Sequence, residues 1–273
     1  MSTYPVPHIS QIFNQRSQGG AVETIADIVK DFKMKAEQRA TCDCEKYFLM
    51  TKLAPSFGTL DAASIKNIDE EVKIMLATMH MALAKTPLHE RSADKMVEIC
   101  VNNLPLFEME MDPALYVDRT AYITKPMEFF NFAKHKNMSV INETYAWFTS
   151  AVLDADIINS TQIDIGVFSE IMVTMGAVMQ CFQHDVKKNE ILEKKIVDIG
   201  VLRYPDIENP YLKVYRIRLT AWCDTTHVLV GRPPNGITGT CNMRCFSPIL
   251  NKIASLQAIT IDKLLAEADV MFD

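Results

Sequence analysis

The chain has 273 residues, 48% of them hydrophobic and 23% charged, with 9 Gly, 12 Pro and a formal net charge of -6. That length and balance suit a globular protein with a buried core, and they exclude general disorder, collagen-like repeats and low complexity. The negative charge argues against a dedicated nucleic-acid coat, which needs clustered Lys and Arg, so no nucleic-acid partner is expected.

Residues 1–20 read as an extended arm. Pro5 and Pro7 fix backbone angles, and Gly19-Gly20 marks a hinge. The arm has neither a basic nor an apolar signal region, so an intracellular, unsecreted protein is expected. It carries Tyr4, Val6, Ile9, Ile12 and Phe13, apolar surface that should dock on its own domain or on a neighbouring copy. Helical spacing begins at Ala21, with Val22, Ile25, Val29, Phe32 and Ala36 on one face, and resumes from Cys44 to Leu53. Asn67 to Glu70 resembles a capping box for a helix with Val72, Met75, Leu76, Met79 and Leu83 on one stripe, ended by Pro87. Ser92 is placed to cap the next helix, in which Met96, Ile99 and Cys100 face inward.

Residues 104–126, with Pro105, Pro113 and Pro126, read as a connector and the best candidate boundary. Met127–Lys136 and Ile141–Ile158 read as helices. Ile163–Lys195 reads as a long helix, or two with a break near Gly176, whose apolar first half is the central buried helix and whose charged end is solvated. Its most apolar part, Val167–Phe182, is too short for a bilayer span, so no membrane partner is expected. Period-two alternation then marks a strand over Tyr211–Cys223, with short strands expected at His227–Val230 and Ile196–Tyr204, the latter bulged at Gly200. Gly231 to Gly236 reads as a loop, and Pro248–Ala268 as a C-terminal helix. The fold class predicted is mainly α: a multi-helix core with a small antiparallel β-element and an extended arm. Its divisions are 1–20 arm, 21–195 helical core, 196–248 β-element and loop, and 249–273 C-terminal helix.

Chemistry-bearing patterns are sparse. Cys223-x3-His227 followed by Cys241-x3-Cys245 has the residue types for a tetrahedral zinc site, but straight strand would hold the ligands apart unless a turn at Asp224-Thr225 folds them together. Plain thiols or a disulfide are the other readings. The seven cysteines are odd in number, so at least one is free or bonded to another molecule. Cys42, Cys44, Cys241 and Cys245 are the candidates for bonds between copies, and Cys100 and Cys181 read as small buried residues. Ser92-x-x-Lys95 lacks the partner motifs of acylating enzymes. His80 reads as a core or boundary histidine, and no phosphate-loop, dinucleotide, zincin or hydrolase motif occurs. No catalytic residue, metal or cofactor is expected.

The arm Tyr4 to Phe13, the helices from Ala21 to Lys195 and the thiols Cys42, Cys44, Cys241 and Cys245 together resemble viral occlusion-body matrix proteins, of the polyhedrin type and the mainly helical, nudivirus-like kind. The Tyr- and Lys-rich β-sandwich pattern of baculovirus polyhedrins is missing, so a common fold with those is not implied. The resemblance implies a structural protein of insect viruses. It would crystallise with copies of itself in the nucleus or cytoplasm of the infected cell, enclose virions, and dissolve in an alkaline gut. Eight Tyr and seven Cys gain negative charge between about pH 8.5 and 10 while Lys loses its positive charge, which drives packed copies apart. Two alternatives belong to other classes: a metal-stabilised enzyme or regulator built on Cys223, His227, Cys241 and Cys245, and a viral nucleoprotein with a helical core and exchanged arms.

Overall fold

The computed structural model describes residues 66–87, 90–102, 106–132, 137–184, 190–226 and 234–270. The predicted arm and the helices before residue 54 lie outside these residues, as do Cys42, Cys44 and His227.

Helix α1, Glu70–Lys85, begins with Glu70 and Glu71 and ends with Lys85, charges that suit the helix dipole. Its predicted stripe is buried from Val72 to Leu83. The helix starts one turn-half later than the capping-box reading places it, with Asp69 at the cap making no side-chain cap bond. Helix α2, Ala93–Asn102, is capped as expected: the Lys95 amide donates to Ser92 Oγ at 3.1 Å. Strands β1, Phe107–Met109, and β2, Val117–Thr124, follow. Then come α3, Met138–Ala151, α4, Ala155–Thr161, and α5, Ile165–His184. Strands β3, Ile191–Arg203, β4, Leu212–Asp224, and β5, Asn235–Pro248, form an antiparallel meander. The short α6, Leu250–Ile253, and α7, Ala258–Val270, close the described chain.

Both β1 and β2 pair antiparallel with β5, end to end along its outer side, so the sheet runs β3-β4-β5 with β1 and β2 together forming the far edge. One face, with Ile217, Leu219 and Ala221 of β4 and Cys241 and Met243 of β5, packs on α3, α4 and α5. The opposite face packs on α1, α2, α6 and α7 at one end, through Leu202, Tyr204, Leu212, Val214 and Phe246. Beyond that end it carries half-buried polar side chains.

The fold is therefore mixed, with helices on both faces of a five-stranded sheet, and the mainly α reading with a small β-element is overturned. Three stretches account for the difference. The region 104–126 holds two strands: its prolines bracket β2 without entering it, which the chain tolerates at a sheet edge. The charged end of the long helix is not helical, since Ile191–Lys195 opens β3; Glu193 and Lys195 project outward from that strand, the usual place for charge on a sheet margin. The expected loop Gly231–Gly236 is followed by no predicted strand, yet Asn235–Pro248 is the strand to which three others pair. Its inward positions are Ile237, Gly239, Cys241, Met243 and Cys245, an alternation weakened by Gly239. A side chain at Gly239 would strike the Trp147 ring of α3 at 2.5 Å, so the inward side chain is missing because a neighbour fills its place.

Smaller departures are local. The expected strand Tyr211–Cys223 is β4 within one residue at each end. The β3 irregularity falls between Lys195 and Val197 and not at Gly200. The expected helix Ile141–Ile158 is divided at Val152–Asp154, Met127–Phe130 is a short 3-10 turn, and the C-terminal helix is split in two. Helix α5 is the central buried helix predicted, with Phe168, Ile171, Met172, Met175 and Met179 in the core. By length and composition alone its Ile165–Phe182 stretch is long and apolar enough to cross a membrane; half of it is buried inside the protein.

Candidate functional site

Of the sequence-predicted zinc ligands, the three among the described residues, Cys223, Cys241 and Cys245, do not converge. Cys223 sits opposite Asn235 in the β4–β5 ladder, and Cys241 lies six residues further along β5, about 20 Å away. Cys241 and Cys245 are four residues apart on one strand, about 13 Å, whereas sulfurs sharing a zinc ion sit about 4 Å apart. Among the described residues no group of three or more metal-binding side chains gathers anywhere. Cys223, Cys241 and Cys245 are free thiols facing the core, and Cys100 is a fourth from α2. Buried sulfurs cannot reach another molecule, which removes Cys241 and Cys245 as cross-linking residues in this fold.

What burial does to these thiols is chemical. Desolvation pushes the Cys241 thiol up to about 12, with Arg119 opposing and Asp118 adding to the rise. It pushes Cys245 up to about 11, against the nearby Lys213 charge. Cys223 and Cys100 rise for the same cause. Buried Tyr204 and Tyr215 are also held protonated far above the usual phenol range, first by burial and, for Tyr215, then by its hydrogen bond to Asp154.

That bond belongs to a buried ionic network that sequence reading missed. Asp154, in the break between α3 and α4, accepts from Tyr215 Oη at 2.7 Å and from Lys213 Nζ at 3.2 Å. Arg203, at the end of β3, donates through Nε to Asp156 at 3.1 Å and through Nη2 to Asp206 at 2.6 Å. Asp206 also accepts from the Asn209 amide at 2.7 Å. Burial alone would lower the Arg203 pKa, but Asp206, Asp156 and Asp154 more than reverse it. Burial alone would raise Asp206, but Arg203 and Asn209 bring it below the carboxylate range. Three carboxylates thus face two cations, and a neutral phenol hydroxyl donates to one of them, an arrangement that fastens the α3–α4 break to the sheet. The signal in the sequence was parity: Lys213 shares the inward side of β4 with Tyr215 and Ile217, and a lysine there requires a buried acid.

On the half-covered face, the arginines are matched with acids. Arg216 Nη2 lies 2.6 Å from Asp198 and its Nη1 donates to Asp94 of α2. Arg218 Nε lies 3.4 Å from Asp198, and Arg244 Nη2 2.9 Å from Asp118. Each guanidinium already has its carboxylate, so this face is not a run of free positive charge for phosphates.

The sheet margin formed by β2 is open. Asp118, Arg119, Thr120, Tyr122 and Thr124 are all exposed, Tyr122 by 73%. Asp118 accepts from Asn242 and Arg244, and Arg119 donates to the Ser150 carbonyl. The charges at the start of β2 are therefore tied to their own chain, and Thr120–Thr124 is an uncharged strand edge. Exposed Met109, Met111 and Tyr116 continue it, with the Arg244 guanidinium 5.2 Å over the Tyr116 ring.

No protein-family model matches the chain, and no curated protein does. Three solved structures overlap with it in part. Activated Cyt2Ba monomer from Bacillus thuringiensis subsp. israelensis is 13% identical, with 73% of this chain and 99% of that one covered and a TM-score of 0.26. A delta-endotoxin is 7% identical, with 78% and 87% covered and a TM-score of 0.24. The Evf virulence factor is 9% identical, with 90% of each chain covered and a TM-score of 0.25. These scores fall well below the level at which two chains share a fold.

Proposed function

We propose that this chain is a structural protein that packs with copies of itself inside the cell into a protective, crystalline occlusion body, enclosing virions at neutral pH and releasing them in alkali. It acts without catalysis or cofactor. The observation that supports this reading is the set of buried protonated acids: Cys100, Cys223, Cys241, Cys245, Tyr204 and Tyr215.

Each of these groups has a folded pKa above its unfolded one. Their contribution to stability is full below the unfolded pKa, about 8.5 for a thiol and 10 for a phenol, and it is lost as pH rises towards the folded value. By pH 10 the unfolded chain has released thiol protons that Cys241 and Cys245 still hold. That costs about 1–2 kcal/mol for each, set against a usual total of about 5–15. The protein is thereby firm in neutral surroundings and weakened in the range where an alkaline gut would act.

The test is expression of the untagged chain in insect cells. Crystals inside the cells are expected, and a suspension of them brought stepwise from pH 7 to pH 11 should clear between about pH 9 and 11. Absence of particles, or scattering unchanged at pH 11, rejects the proposal.

A further inference from the structure

We infer that β2 is the contact through which two copies join: the Val117–Thr124 edges pair antiparallel about a twofold axis, merging two five-stranded sheets into one. This rests on the self-assembly proposed above and names the surface that carries it.

A strand edge presents unpaired backbone N–H and C=O groups, and natural proteins usually blunt such edges with lysine, proline or a covering loop. Among the described residues β2 has β5 as its one strand partner, and five of its eight residues are exposed. Lys125 and Pro126 come only after the strand has ended. Asp118 and Arg119, the two charges within it, are engaged by Asn242, Arg244 and Ser150 of the same chain.

The occupant is a second copy because the sequence of this edge complements itself. A twofold axis perpendicular to the sheet keeps each side chain on its own face, so opposed residues must be of like parity. An axis at Ala121 sets Ala121 against Ala121 of the other copy, Thr120 against Tyr122, Arg119 against Ile123, and Asp118 against Thr124. No like charges meet. Each exposed Tyr122 lies on a β-branched threonine, a favourable cross-strand pair, with the second Tyr122 diagonal to it. Exposed Met111 and Tyr116 extend the same margin beyond the strand.

Opposed residues in an antiparallel pair have Cα atoms about 4.5–5.5 Å apart, within reach of a disulfide. The full chain carrying Ala121→Cys should therefore form a covalent dimer under mild oxidation, in excess of both the unsubstituted chain and Asp118→Cys. Independently, Thr120→Lys with Tyr122→Lys sets lysines across the axis. It should weaken dimerisation about tenfold in sedimentation equilibrium, with far-UV circular dichroism unchanged because both positions are exposed. No excess cross-linking by Ala121→Cys, or a folded double-lysine chain that dimerises as tightly as the parent, overturns the inference. Crystals that form in insect cells from the double-lysine chain also overturn it while leaving the assembly reading intact. A cross-linked dimer from a chain that never builds particles supports the β2 contact and rejects the larger assembly.

Discussion

Asp154 shows what a single side chain holds together. It is the shared acceptor of Lys213 and Tyr215, and it lies 3.8 Å from Arg203. Asp154→Asn leaves the Lys213 ammonium buried without its counter-charge, a kind of change that costs several kcal/mol where replacing a whole pair costs little. We expect a loss of about 3 kcal/mol in urea unfolding at pH 7, with the wild-type secondary structure retained below the transition. Asp206 acts at the other end of the pH scale. Its folded pKa is depressed, so the stability it supplies is present above the ordinary carboxylate range and is lost as acid takes the solution below its folded value. Arg203, Lys213 and Asp206 are all buried, and none belongs to a motif. Sequence reading found the histidine, cysteine and serine patterns and passed over these residues because their roles arise only when strand parity is combined with the α3–α4 break.

At the scale of elements, α5 and β5 decide the architecture. Gly176 lies mid-helix, where the sequence leaves open one long helix or two with a break; the helix is continuous, and the glycine allows a close pass. A Cβ at that position would stand 2.1 Å from the Phe130 carbonyl and 2.7 Å from the Phe132 ring. Gly176→Ala should cost about 2–3 kcal/mol, read as a lowered denaturant midpoint with unchanged slope, since backbone must move to admit it. The helical stripes of α1 and α2, the burial of α5 and the alternation of β4 were all readable from periodicity. Strands β1, β2 and β5 were not: β1 is three residues long, β2 hides between prolines, and β5 surrenders an inward position to Trp147. The two sheet margins also had to carry charge, and charge in Ile191–Lys195 mimics a solvated helix end. The β-content was thus hidden where strand pattern is most diluted, at edges and at a position packed by another element.

For the whole molecule, the buried acids predict a count of protons. Unfolding between pH 8.5 and 11 should release protons from each buried thiol, so stability falls with a slope set by their number. Replacing Cys241 and Cys245 by Ala should make that slope shallower by about two protons, whatever the packing loss at neutral pH, in urea titrations from pH 8 to 11. A slope equal to that of the parent would remove these thiols as the source of alkaline weakness. Topology has its own consequence for when the molecule becomes adhesive. Strand β2 is made early, yet it is ordered by β5, whose paired residues stand more than 110 positions later, as in Val117 with Met243. During translation Val117–Thr124 has no template until Asn235–Pro248 clears the ribosome, and long-range strand pairing of this kind is slow to form. Under the pairing proposed above, nascent chains that have not yet exposed Asn235–Pro248 lack the ordered edge by which two copies would meet, so any such association waits for β5.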